Sequence, residues 1–110
     1  MLIVSKSGDI TLTRGDTARL TVLPTIGEEK QPYTVQEDDV LTFTVKKKYT
    51  DSEPLIEKKL TGSTTFHIEP KDTKGLEFGK YKYDVQITLP NGENYTFIAK
   101  KEFIIAEEVG

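Results

Sequence analysis

Apolar and polar residues alternate with period two along most of this chain. Ile10 and Leu12 alternate with Thr11 and Thr13. Ala18, Leu20 and Val22 alternate with Thr17, Arg19 and Thr21, and Leu41, Phe43 and Val45 with Thr42, Thr44 and Lys46. The longest run sets Tyr81, Tyr83, Val85, Ile87 and Leu89 against Lys82, Asp84, Gln86 and Thr88. Successive side chains of a strand point to opposite faces, so each run predicts a strand with one buried face and one wet face. Tyr95, Phe97 and Ala99 repeat the pattern less cleanly, and Phe66 with Ile68 and Phe103 with Ile105 add two short runs. Glu57, Lys58 and Lys59 dilute the run from Leu55 to Leu60, which reads as a strand near a sheet edge.

Turn chemistry separates the runs. Arg14-Gly15-Asp16 stands between the first two and predicts a tight hairpin through a glycine at positive φ. Asn91-Gly92, after Pro90, predicts a second hairpin between the Tyr81 and Tyr95 strands. Thr61-Gly62-Ser63 divides the Leu55 run from the Phe66 run. The long connection from Pro24 to Asp39 holds Gly27-Glu28-Glu29-Lys30 as a hairpin tip, with Gln31 to Val35 returning. It reads as a projecting, partner-contacting element or as an ordinary surface loop. The one helical segment is a single turn from Pro70 to Leu76, ended by Gly75.

Strands that are apolar on one side must pack sheet on sheet. The expectation is an all-β, immunoglobulin-like antiparallel β-sandwich of seven or eight strands, one domain over residues 1–110. The entry to the longest strand, Gly79-Lys80-Tyr81-Lys82-Tyr83, places Tyr81 as a tyrosine corner. Tyr83 then stands where antibody domains carry a cysteine. The same residues also suit a plain tyrosine-rich strand.

Composition narrows the chemistry. A net charge of −3 gives no cationic field for phosphates, so nucleic acid is not an expected partner. With no cysteine there is neither a disulfide framework nor a thiolate metal site, and packing with backbone pairing must hold the fold. The opening MLIVSKSG has four apolar residues before Ser5, too few for a secretory signal, and no stretch approaches a bilayer span. The expectation is a chain made in the cytoplasm, not exported by the usual route, with no membrane partner.

Candidate chemistry is sparse. His67, the single histidine, alternates away from Phe66 and Ile68 and reads as an exposed strand residue. Glu37-Asp38-Asp39 and Asp51-Ser52-Glu53 lack the ligand spacing of a calcium loop and read as solvated turns. Lys46-Lys47-Lys48 reads as an edge-protecting or solvated strand end. No phosphate loop or nucleophile elbow is visible, so the expectation is no enzyme activity and no cofactor. A carboxylate site such as Asp84 with Glu102 ranks last.

One order of elements is similar to a known family. A threonine-rich strand leads into Arg14-Gly15-Asp16-Thr17 and a second alternating strand. VLTFTVKKK (residues 40–48), FGKYKYDVQITLPNGENYT (78–96) and a closing EFII (102–105) follow. From about Gly8 to Ile105 the chain resembles the N-terminal domain of phage baseplate upper proteins and their relatives in tailed phages and prophages of Gram-positive bacteria. That resemblance implies an immunoglobulin-like module of the virion that attaches larger proteins at the tail tip, with other phage structural proteins as partners. Longer members continue into helical linkers and further domains beyond the length of this sequence. The expectation is therefore a small non-enzymatic adaptor of a tail or baseplate, a monomer or weak homo-oligomer by itself, assembled into the virion from the bacterial host cytoplasm. Phage head decoration is a further possibility for such a module.

An adhesion or carbohydrate-binding module is the alternative. Arg14-Gly15-Asp16 is the tripeptide that many adhesion proteins present to integrins. Tyr33, Tyr49 and Tyr95 are candidate partner contacts, since exposed aromatic faces stack on sugars or anchor interfaces.

Overall fold

The alternating runs become strands, and their apolar positions become one core. The structure, a computed structural model, describes residues 1–107. In chain order its elements are β1 (Leu2–Val4), β2 (Ile10–Thr13), β3 (Ala18–Thr21), β4 (Thr25–Ile26), β5 (Gln31–Pro32), β6 (Val40–Lys46), β7 (Ile56–Thr61), β8 (Thr65–Ile68), a one-turn helix α1 (Pro70–Lys74), β9 (Gly79–Thr88) and β10 (Asn94–Ala106). Six strands form one sheet in the order β1-β2-β10-β9-β6-β7, while β3 pairs with β8 and β4 with β5. The pairs are antiparallel except β2 with β10, which run parallel with Phe103 opposite Ile10 and Ile105 opposite Leu12.

The small β3–β8 sheet lays Leu20, Phe66 and Ile68 on the inner face of the large one. Four fully or almost fully buried rings mark the centre of the contact. Phe43 of β6 lies 5.6 Å from Phe66, 5.5 Å from Tyr83 and 6.0 Å from Phe103, between ring centroids and in tilted or edge-on arrangements. Such geometries suit the ring quadrupole and add to the burial of apolar area. Ile10, Leu12, Leu41, Val45, Val85, Ile87 and Ile105 complete a continuous apolar layer around them.

The edge expected at Leu55 to Leu60 is the terminal strand β7. In its observed phase Ile56, Lys58 and Leu60 face inward, and Lys58 Nζ meets Asp72 Oδ2 of α1 at 2.8 Å. An inward-pointing lysine on an edge strand discourages pairing with another chain. Asp72 also accepts the Glu69 N–H at 2.7 Å, and Pro70 occupies the first helical position, so α1 is held at its start. Gly75 closes the turn at φ −85°, without a left-handed cap.

The strands number ten among the described residues, not seven or eight. β1, β4 and β5 are too short to display alternation, and the two closing runs are a single strand, β10. β10 pairs with β9 through register shifts between Thr96 and Ile98 and between Ile98 and Lys101, with Lys100 at φ 58°. Each extra residue flips the phase of alternation, so one bulged strand reads as two. The β9–β10 hairpin forms around Pro90-Asn91-Gly92. Gly92 N–H donates to the Leu89 carbonyl at 2.9 Å, Leu89 N–H to that of Glu93 at 2.8 Å, and Gly92 has φ 94°. Pro90 thus selects a three-residue loop ending in a glycine bulge over a two-residue Asn-Gly turn.

All five phenols are pushed above their ordinary value of 10. Burial, reinforced by Asp84 for Tyr49 and by Asp9 for Tyr83, raises each of these two to about 12. Burial raises Tyr81, while hydrogen bonds to Asp39 and Glu93 raise Tyr33 and Tyr95. A phenol whose folded value is raised leaves stability untouched below pH 10 and removes it as pH climbs through the folded value. Tyrosinate absorbance is expected to rise later in the folded chain than in denaturant, most of all for Tyr49 and Tyr83, with unfolding setting in between about pH 10 and pH 12. Superimposable folded and denatured titrations would contradict this.

Candidate functional site

Gly15 sits at a corner between sheets, because β2 and β3 belong to different sheets and do not pair with each other. The expected hairpin is absent. Asp16 N–H donates to the Thr13 carbonyl at 3.1 Å, and Gly15 turns through φ 82°. That positive φ at the third position of the turn is the one a glycine accepts without steric cost. The Gly15 N–H donates to Oγ1 of the fully buried Thr73 at 2.8 Å, locking the corner onto α1. Arg14 lies over the Phe78 ring at 4.2 Å and its Nη1 reaches the Leu76 carbonyl at 3.5 Å. Asp16 Oδ2 pairs with the N-terminal ammonium. Each member of the tripeptide is engaged within its own fold.

Tyr81 donates its hydroxyl to the Glu77 carbonyl at 2.7 Å, back across the entry to β9. Tyr83, two residues on, faces the core between Phe43 and Phe103 and donates to the Gly8 carbonyl. One tyrosine pins the corner before β9, and the other ties the loop between β1 and β2 to the core.

The three tyrosines read as contact residues are half-buried, and each hydroxyl is bound to a carboxylate of the chain. Tyr49 donates to Asp84 at 3.3 Å on the outer face of the large sheet. Tyr95 donates to Glu93 and lines a shallow groove with the β4–β5 tip. Tyr33 lies at the end of the molecule where β6 begins, lining a groove with the Leu89-Pro90-Asn91 turn, whereas Tyr49 follows the far end of β6.

That end is built around Asp39, 1% exposed. Its Oδ2 accepts the Tyr33 hydroxyl at 2.6 Å and the Gln36 N–H at 2.7 Å. Its own N–H donates to the Gln36 carbonyl, and its carbonyl accepts the Gly62 N–H at 2.9 Å. Asp39 Oδ1 has no hydrogen-bond partner among the described residues. The carboxylate therefore clips the returning arm of the long connection to the start of β6. Tyr33 N–H donates to the Pro24 carbonyl at 3.0 Å, extending the β4–β5 pairing, so the Tyr33 ring is fixed from both ends.

Two concavities meet at Tyr33. On one side Val22, Leu23, Pro24, Pro32 and Val35 line an apolar cleft of about 500 Å³. Leu23 is 85% exposed there. On the other side a groove of about 510 Å³ runs between Glu37, Asp38 and Asp39 and the Leu89-Pro90-Asn91 turn. Residues 22–24, 31–39, 61–64 and 89–94 carry Glu37, Asp38, Asp39 and Glu93 and no lysine or arginine. The Leu23 flank of this end is apolar and its Glu37-Asp38-Asp39 flank acidic.

The remaining candidates are dispersed. His67 is exposed on β8, opposite Arg19 of β3. Asp84 accepts Tyr49 and the Lys100 N–H, whereas Glu102 lies 3.8 Å from both Lys80 and Lys82. Glu37-Asp38-Asp39 and Asp51-Ser52-Glu53 are separated by the seven residues of β6, roughly 20 Å at strand rise, so they cannot share an ion. Among the described residues no group of three or more His, Cys, Asp or Glu side chains converges as a metal site. No helix among them is long and apolar enough to cross a membrane.

Leu23 and Asp39 are the site residues that alternation alone did not single out. Leu23 follows the buried Val22 and so falls out of phase, and that is its one sequence signal. Asp39 reads as a member of an acidic turn, and nothing in its spacing marks it as buried. Comparison with protein-family models finds no match, and neither curated proteins nor solved structures supply one.

Proposed function

We propose that the chain is an immunoglobulin-like β-sandwich acting as a non-enzymatic adaptor, which holds a neighbouring protein at its Tyr33 end. The observation that carries this reading is the exposed apolar cleft around Leu23, built on a hydrogen-bonded, pre-ordered loop. An exposed concave apolar surface rimmed by polar residues is the ordinary mark of a contact site.

The immunoglobulin-like reading draws support from strand order. β10-β9-β6-β7 follows the G-F-C-C′ order of variable-type domains, and β3 with β8 corresponds to their B–E pair. The back-bonded Tyr81 and the core-facing Tyr83 two residues later agree with it. The resemblance to phage baseplate upper proteins supplies the setting, a phage or prophage tail. The engaged state of Arg14, Gly15 and Asp16 favours a structural turn over an adhesion ligand.

Mass spectrometry of gradient-purified particles from the encoding phage or induced lysogen tests the setting. The chain is expected in intact particles at a fixed ratio to tail proteins. Its confinement to the soluble fraction would overturn the assignment.

A further inference from the structure

We infer that the Tyr33 end takes an extended segment of a partner protein carrying an apolar side chain and, two positions on, a lysine or arginine. This rests on the reading of that end as a protein-contact surface and adds the chemistry of what it holds. The apolar side chain fills the cleft of Val22, Leu23, Pro24, Pro32 and Val35, and the cation lies in the groove beside Glu37 and Asp38.

Three observations converge on this occupant. Leu23 is exposed in a concave setting, where burial by a partner removes apolar area from water on both sides. The adjoining groove has three carboxylates and no cation of its own, so a positive side chain is the complementary guest and a phosphate backbone or anionic surface is repelled. Asp39 lines the same groove almost fully buried, with one oxygen carrying two hydrogen bonds and the other none among the described residues.

Tyr33 sets the spacing. It lines both concavities, and its ring is held by the Asp39 and Pro24 hydrogen bonds, so little order is lost on binding. An extended segment laid across it presents alternate side chains to the same face, about 7 Å apart, one on each side of the ring.

Amide shift titration of the intact, isotope-labelled chain tests the proposal. The probes are acetylated, amidated peptides containing two Leu-Thr-Arg units, and the same peptide with glutamate for arginine. The basic peptide is expected to give saturable shifts at Leu23, Tyr33, Val35 and Asp38, with the acidic peptide about tenfold weaker or worse. Combined Glu37→Gln and Asp38→Asn, both at exposed positions, is expected to weaken the basic peptide about threefold or more and flatten its salt dependence. Leu23→Ser should weaken it while leaving the rest of the spectrum unchanged. Equal binding of the two peptides, or saturable shifts only around Lys46 to Lys48, would overturn the proposal. Particle composition and peptide binding are read independently, so loss of the tail assignment leaves this result standing or falling by itself.

Discussion

Phe43→Ala is expected to remove about 3–5 kcal/mol of stability, the range for truncating a buried aromatic side chain. A domain of this kind holds about 5–15 kcal/mol in total, so the variant is left marginal or unfolded at physiological temperature. Phe43 is fully buried at the middle of β6, where the large sheet meets the small one. Its neighbours Phe66, Tyr83 and Phe103 are themselves rings, each fixed on a different strand. Tyr83 is further tied by its hydroxyl to the Gly8 carbonyl, which limits how far it can lean into a void. A cavity lined by rigid rings collapses poorly, and the cost of truncation rises with the volume left empty. Urea unfolding would show this as a lowered midpoint with a nearly unchanged slope. A loss below about 1 kcal/mol would mean that the core does not pivot on Phe43.

Much of this architecture is written in the period-two pattern, and the reasons for the gaps are physical. Ile10, Leu12, Leu41, Phe43, Val45, Tyr81, Tyr83, Val85 and Ile87 are buried at the positions where alternation placed them, because a half-buried strand must repeat every two residues. Alternation says which face is buried but not which strand lies alongside. The parallel β2–β10 pair and the separation of β2 from β3 were therefore not legible, and a sheet-to-sheet corner looked like a hairpin. In β10 the bulges shift the phase and hide continuity. At the Tyr33 end, the decisive contacts are single polar bonds to Asp39 and Gly62, made across long sequence separations or inside an irregular loop. No periodicity reports on these. Leu23 alone left a trace, as an apolar residue out of step.

Gly62→Ala is expected to cost about 2–4 kcal/mol, from a left-handed backbone position of about 1–2 kcal/mol plus a backbone collision. Gly62 has φ 68°, and a Cβ there would stand 2.9 Å from the Glu37 carbonyl oxygen and 3.1 Å from its Cα. Both are main-chain atoms, so relief requires the 36–39 loop itself to move. Gly62 also donates its N–H to the Asp39 carbonyl at 2.9 Å, so the same shift pulls on the clip that holds Tyr33. Gly27 provides the contrast. It has a similar φ of 76° at the β4–β5 tip, but nothing lies within 4 Å of its added Cβ. Gly27→Ala should therefore show the conformational cost alone, about 1 kcal/mol. The melting temperature of Gly62→Ala is expected to fall well below that of Gly27→Ala, by about 4–8 °C for each further kcal/mol. Its amide shifts should change at Tyr33, Gln36 and Asp39 while β1 and β2 stay as they are. Equal melting temperatures for the two variants would show that the loop yields freely. The Tyr33 ring would then not be the pre-ordered anchor on which the contact site depends.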